Sequence, residues 1–401
     1  MSERSKPLSF SVKNLSLNTF NEIHQNGFTL TVFHSEDDPA SANRVKVSGK
    51  NVAVEMLPSK GFSVGQAWIN GKPVFWEAPV GLPDTESIDL WSDEISINGN
   101  PSAGFTFLKT LTGGVELYGL KNWGMPTLID GKLYPLHGET SNIPVNEVHF
   151  DVNEDVCSIQ TSFLYKTFIG NHSIPWYERG ESLYRITKKL ILTGDSLKFG
   201  IEDVIENISQ PNQVPSWGYH ITLKPQIGAR YLVPSHFAQE RGFGPFPEDI
   251  ETWYPAVDGS IRTETGIIHK QILHSHSPEG DNQVNSLLVY PNNTGISVSV
   301  PPSPYFQTWF CCGGKNSKEF TLRNGNSILH KNWDGMGIEI GSNPLDHNGN
   351  TDESVNYIPI LKPGEEKVVR INFKFLEGKE LNDLKEVINT YTIQRKCFAG
   401  T

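Results

Sequence analysis

Two histidines and one glutamate stand in settings that suit proton transfer. His137 is followed by glycine and then by polar side chains, in Tyr134-Pro135-Leu136-His137-Gly138-Glu139-Thr140-Ser141-Asn142. His220 lies among aromatics, in Trp217-Gly218-Tyr219-His220-Ile221-Thr222. Glu339 interrupts an apolar, glycine-bounded stretch, Gly337-Ile338-Glu339-Ile340-Gly341. Imidazole titrates near neutrality, and a carboxylate in partly apolar surroundings is shifted towards it. The three together are a minimal set for taking a proton from one atom and returning one to another. Alternation along a strand turns Glu339 to the face opposite Ile338 and Ile340. A carboxylate aimed at an apolar core is costly, so that face is expected to be solvated or to form a polar cleft.

Each residue alone has an ordinary structural reading. A histidine beside aromatics is more often hydrogen-bonded scaffold than catalyst, and a strand glutamate usually meets solvent. The order in the chain permits convergence without requiring it. A metal site is a second reading, because a His-x-Glu pair on a strand points both side chains one way. His137, Glu139 and His220 would then be the ligands.

The elements that must position these residues read as strands. Alternating apolar and polar side chains recur at Val45–Val47, Val52–Met56, Ala67–Ile69, Leu183–Thr187, Leu197–Ile201, Ile296–Val300 and Lys367–Phe375, the period-2 signature of half-buried strands. Short apolar runs at Leu190–Leu192 and Leu287–Tyr290 continue the series. Asn70-Gly71, Asn98-Gly99, Gly113-Gly114 and Asp130-Gly131 punctuate them as breakers. Asn-Gly and Asp-Gly are the strongest short hairpin signals, since a type I′ turn needs positive φ at both central positions. One helix is expected, from Lys379 to Arg395, with Leu381, Leu384, Val387, Ile388 and Tyr391 on its apolar face. The expected architecture is all-β: one large antiparallel sandwich over 45–376, an N-terminal extension over 1–44 packing on it as irregular decoration or an edge, and a C-terminal helix over 377–401. No repeat of fixed period and no phosphate-binding glycine loop is present.

Composition narrows the function classes. The formal charge of −11 comes from dispersed Asp and Glu, and no Lys/Arg block tracks a phosphate backbone, which argues against nucleic acid. There is neither a signal-peptide-like start nor a long apolar run, so a cytoplasmic protein with no membrane partner is expected. Cys157, Cys311, Cys312 and Cys397 lack C-x-x-C spacing and read as buried free thiols. An exposed sandwich edge would be free to pair into a homodimer.

The order His137-Gly138, then His220 beside Tyr219, then Glu339 in a Gly-x-Glu strand resembles the aldose 1-epimerase (galactose mutarotase-like) family. It is most similar to a bacterial branch with Leu-Pro-x-Arg-Gly, Leu-His-Gly-x-x-Ser-Asn and Gly-x-Glu-Pro-Gly segments. Here these read Leu57-Pro58-Ser59-Lys60-Gly61, Leu136–Asn142 and Gly337–Gly341, and Gln307-Thr308-Trp309 matches a further Gln-x-Trp feature. Lys60 stands where the branch carries Arg, and Ile340 where it carries Pro. The likeness spans about 44–375. It implies a metal-independent isomerase without a cofactor that interconverts sugar anomers, with Glu339 as base, His220 as acid and His137 assisting. It also implies Lys60, Asn142, Trp217, Gln307 and Trp309 as sugar contacts. Rival readings are a metal-dependent sugar isomerase or lyase on His137, Glu139 and His220, and a sugar-binding module without turnover. A glycoside hydrolase would have to pair Glu339 with Asp334, a poor flanking geometry on one strand.

Overall fold

The structure, a computed structural model, describes residues 8–11, 21–33, 43–78, 90, 94–97, 100–170, 172–224, 226, 228–235, 237–240, 268–275, 283–312, 319–322, 327–329, 335–343, 360–390 and 394–395. Among these the strands form two large sheets, of nine and thirteen strands, and two small ones. Nearly all the pairing is antiparallel, as alternation and tight turns favour. The nine-stranded sheet contains the long meander Glu147–Asn153, Val156–Lys166, Ser182–Thr193 and Lys198–Asn207, continued by Glu366–Glu377. Every second residue of these strands is buried. Their inward sides meet the thirteen-stranded sheet across one core that runs from Phe150, Ile186 and Phe373 to Val47, Ile221 and Ile338. This is the all-β sandwich that the alternation implies.

The turns explain much of the register. Asn70-Gly71 and Asp130-Gly131 take φ values of 50° and 72°, and of 50° and 75°, as type I′ hairpins demand. Asn98-Gly99 lies outside the described residues. Gly113-Gly114 is not a hairpin turn: Gly114 opens a strand, and a β-carbon on either glycine would collide with the carbonyl of Trp76 or Val64. The pair is there because two backbones approach closely.

At the N-terminal end the structure shows the edge pairing, and at the C-terminal end the expected helix needs correction. The described residues before 44 form strands. Leu8–Ser11 pairs with Glu147–Asn153, and the hairpin Asn21–Gln25/Phe28–Phe33 extends the larger sheet with Phe28, Leu30 and Val32 in the core. The helix is shorter than periodicity suggests, running Gly378–Asn389. Leu381, Leu384 and Ile388 pack on Leu287, Val289 and Leu376, whereas Val387 is 55% exposed, one step round from that stripe. Tyr391 lies outside the described residues, as does Cys397. Cys157 is a buried free thiol, while nothing is described of the Cys311 and Cys312 side chains. No helix among the described residues is long and apolar enough to cross a membrane.

One polar tie crosses the core. Lys188 and Asp203, opposite each other in the nine-stranded sheet, form a buried ion pair of 2.6 Å. From the other sheet the Tyr219 hydroxyl donates to the same Asp203 oxygen at 2.7 Å. Removing one member of such a pair strands a charge away from water. Lys188→Met should therefore cost about 3–5 kcal/mol in chemical unfolding, and an unchanged midpoint would contradict this role.

Candidate functional site

Four adjacent strands of the larger sheet carry the site. Numbered in chain order they are β1 (Gly114–Tyr118), β2 (Gly218–Leu223), β3 (Tyr305–Cys312) and β4 (Gly335–Gly341), arranged in space as β1-β2-β4-β3. Register places Glu116 opposite His220, His220 opposite Glu339, and Glu339 opposite Gln307. Directly paired residues share a face, so four polar side chains form one row across the sheet. Their chain neighbours Leu117, Tyr219, Ile221, Phe306, Ile338 and Ile340 point the other way, into the core between the sheets. The face Glu339 occupies is therefore outside that core, yet the residue is only 6% exposed. It lies under a second, aromatic layer that includes Phe107, Tyr118, Trp123 and Tyr305.

Glycine makes room for that layer. A β-carbon on Gly218 or Gly341, which are paired across β2 and β4, would drive into the Trp123 indole, and one on Gly337 would crowd Trp309. Without side chains at these positions the indoles lie against the strands and wall the polar row.

The three proton-handling candidates meet here. His220 Nε2 is 3.5 Å from Glu339 Oε1, and its Nδ1 is 2.8 Å from the Thr222 hydroxyl. The His137 ring centroid is 5.9 Å from that of His220. His137 has a left-handed backbone, φ 59°, and so does Gly138 after it. That conformation is rare for a residue with a β-carbon and is common where geometry serves a site. A side chain at Gly138 would strike the carbonyls of Asn122 and Gly119, which accounts for the His-Gly pairing. The His137 ring stacks on Tyr118 at 4.4 Å, meets Phe107 edge-on at 4.6 Å, and lies 2.8 Å by Nδ1 from the Trp123 carbonyl. A carbonyl only accepts, so Nδ1 carries the hydrogen.

The expected sugar contacts separate into groups. Gln307 belongs to the row, with its Oε1 accepting from the Tyr305 hydroxyl at 2.5 Å. Trp309 covers His220 at 4.8 Å between ring centroids. Trp217 does not join them: it packs in the inter-sheet core against Tyr219, with Lys367 over its ring. Lys60 is wholly buried and engaged, donating to the Thr110 carbonyl, to Glu116 Oε2 at 3.3 Å and to Asn142 Oδ1 at 3.5 Å. An ammonium has three donors, so these acceptors saturate it. Burial lowers the Lys60 pKa and Glu116 partly restores it. Lys60 and Asn142 thus brace Glu116, whose other oxygen accepts from the Thr112 amide and hydroxyl at 3.1 and 2.9 Å.

A scan of family models matches residues 40–242 to one described as a domain of unknown function, DUF4432. That is more than half of the chain. The chain belongs to the DUF4432 family. The match includes His137 and His220 and ends before Glu339. No curated protein matches this DUF4432 chain. Among solved structures, a candidate aldose 1-epimerase from Klebsiella pneumoniae is similar with a TM-score of 0.70 at 15% identity, over 98% of this chain and 96% of its own. A candidate mutarotase from Salmonella typhimurium gives 0.53 at 9%, over 91% and 99%. A galactose mutarotase-like protein from Clostridium acetobutylicum gives 0.50 at 12%, over 87% and 98%. At these identities the likeness shows a shared galactose mutarotase-like fold.

Two residues of the candidate site were absent from the sequence-based candidates, Glu116 and Tyr118. The signal was available: Glu116 sits between Val115 and Leu117 just as Glu339 sits between Ile338 and Ile340. Glu139, the carboxylate a His137/His220 metal site would need, instead accepts from Tyr165 at 2.9 Å. Among the described residues no group of three His, Cys, Asp or Glu is placed to hold a metal ion. Burial lifts the Glu139 carboxyl to about 8 against the opposing pulls of Tyr165 and Lys132. A group raised on folding is stabilising while protonated, and that contribution is lost as pH rises through its folded value. The stability of the parent relative to Glu139→Gln should fall from about pH 5 to about 8. Thermal unfolding across that range reads it, and parallel pH profiles would refute it.

Proposed function

We propose that this protein is an aldose 1-epimerase-like isomerase that interconverts the anomers of a sugar at the polar row of the larger sheet. The observation that carries this reading is the convergence of Glu339, His220 and His137, distant in sequence, under one aromatic layer. The similar fold of candidate mutarotases supports it at the level of architecture.

The chemistry follows from the groups present. Glu339 takes the proton of the anomeric hydroxyl. The bond from C1 to the ring oxygen breaks, its electron pair stays on that oxygen, and His220 supplies the proton that neutralises it. The open aldehyde turns about its C1–C2 bond and closes on its other face by the reverse transfers, so atoms and charge balance and both residues recover their protonation. His137, with Nδ1–H held by the Trp123 carbonyl, offers Nε2 to a sugar hydroxyl. Trp309 and Tyr118 present flat surfaces to a pyranose ring. Gln307 is an amide within reach of the same row and a sugar contact in this reading. Lys60 and Asn142 act indirectly, through Glu116. Each proton-transfer group typically contributes about 10²- to 10⁴-fold.

Glutamine keeps the size of glutamate but takes no proton at neutral pH. Glu339→Gln should therefore slow anomeric exchange, followed by polarimetry or exchange NMR over a panel of aldoses, by at least ~10²-fold. Its melting temperature should stay near that of the parent, and His220→Asn should behave alike. Exchange that survives in Glu339→Gln would remove the mechanism and leave a binding protein.

A further inference from the structure

Tyr118 is a residue of the site that carries a buried hydroxyl. It follows Glu116 by two positions on β1, so it lies on the face of the polar row. Its side chain is 1% exposed, and its ring stacks on His137 with an interplanar angle of 17° and lies 5.7 Å from that of His220. Among the described residues its hydroxyl has no hydrogen-bond partner. Buried tyrosine hydroxyls normally find one, and an orphan in a native structure calls for a reason. Three other buried phenols are partnered, Tyr165 donating to Glu139, Tyr219 to Asp203 and Tyr305 to Gln307. That of Tyr184 also has no partner among the described residues, but it lies in the inter-sheet core away from the row.

We propose that the Tyr118 hydroxyl donates a hydrogen bond to an oxygen of the bound sugar, and so fixes the pyranose against the His137 and His220 rings. Its acidity is in keeping with a donor. Burial, followed by the charges of Glu116 and Glu339, holds the phenol well above its ordinary pKa, so it keeps its proton through the neutral range. The ring has a second role as the platform that orients His137, and Phe at this position would preserve it. The inference rests on the sugar-binding half of the reading above and is independent of its proton transfers.

The test is Tyr118→Phe in the full chain. Titration with D-galactose, D-glucose and L-fucose can be followed by tryptophan fluorescence, because Trp123 and Trp309 flank the row. The variant should bind whichever of these the parent binds about tenfold more weakly, the value of one neutral hydrogen bond. Its melting temperature without sugar should equal or exceed the parent's, since an unsatisfied donor has been removed. Equal affinity, a lowered melting temperature, or no saturable response of the parent to any of the three would overturn the proposal. Anomeric exchange by Glu339→Gln is the separate measure of the reaction. Unimpaired exchange there, with weakened binding by Tyr118→Phe, would remove the mechanism and leave the hydroxyl contact in place.

Discussion

Side chains on a pleated strand alternate between two faces, and in this protein one sheet has to serve a different purpose on each. Inward, Leu117, Tyr219, Ile221, Phe306, Ile338 and Ile340 close the main core. Outward, Glu116, His220, Glu339 and Gln307 stand side by side because three strand pairings hold them in register. A slip of one residue at any pairing would exchange the faces, burying a charge in the core and baring isoleucine outside. The same alternation that closes the core therefore fixes the site, and neither can be relaxed alone.

Charges within the row are handled unequally. Glu116 is closed off by Lys60 and by the Thr112 amide and hydroxyl, so both of its oxygens are satisfied within the protein. Glu339 faces the ring nitrogen of His220 at the outer limit of hydrogen-bond distance. One carboxylate serves as a fixed element of the frame, while the other has a partner able to take up or give back a proton. Beneath them the Lys188–Asp203–Tyr219 tie fixes the position of β2 on its core side, one residue from His220. Buried polar contacts on both faces of that strand thus restrict its movement.

Much of this was legible in the residues, for reasons that also mark where reading stops. Alternation and Asn-Gly or Asp-Gly turns are local, so the all-β sandwich and the hairpins at 70–71 and 130–131 were accessible. His137, His220 and Glu339 stood out because each sits in an unusual local frame of glycine or aromatic residues. Register between distant strands is not local. Nothing near Lys60 shows that its ammonium will be consumed by Thr110, Glu116 and Asn142, or that Trp217, three residues before His220, faces the opposite way. Glycine is ambiguous for the same reason, since close approach at Gly113-Gly114 and a tight turn at Asp130-Gly131 are written with similar letters. The helix was overextended because apolar spacing continues past Asn389, whereas Gln394–Arg395 pair instead as a short parallel strand beside Phe237–Glu240.

The placement of β4 bears on how the molecule comes into being. Its two sheet neighbours, β2 and β3, both precede it in the chain, yet β4 lies between them. The sheet at this point can be completed only when Gly335–Gly341 fills the gap between segments already made, bringing Glu339 with it. Pairings across such separations are slow to form, because loop closure must precede the contacts that reward it. On a growing polypeptide, the two histidines can be seated while the strand edges of β2 and β3 are still bare and open to pairing with other chains. Glu339 arrives with the strand that covers those edges, so completing the polar row and losing the exposed edges are one event.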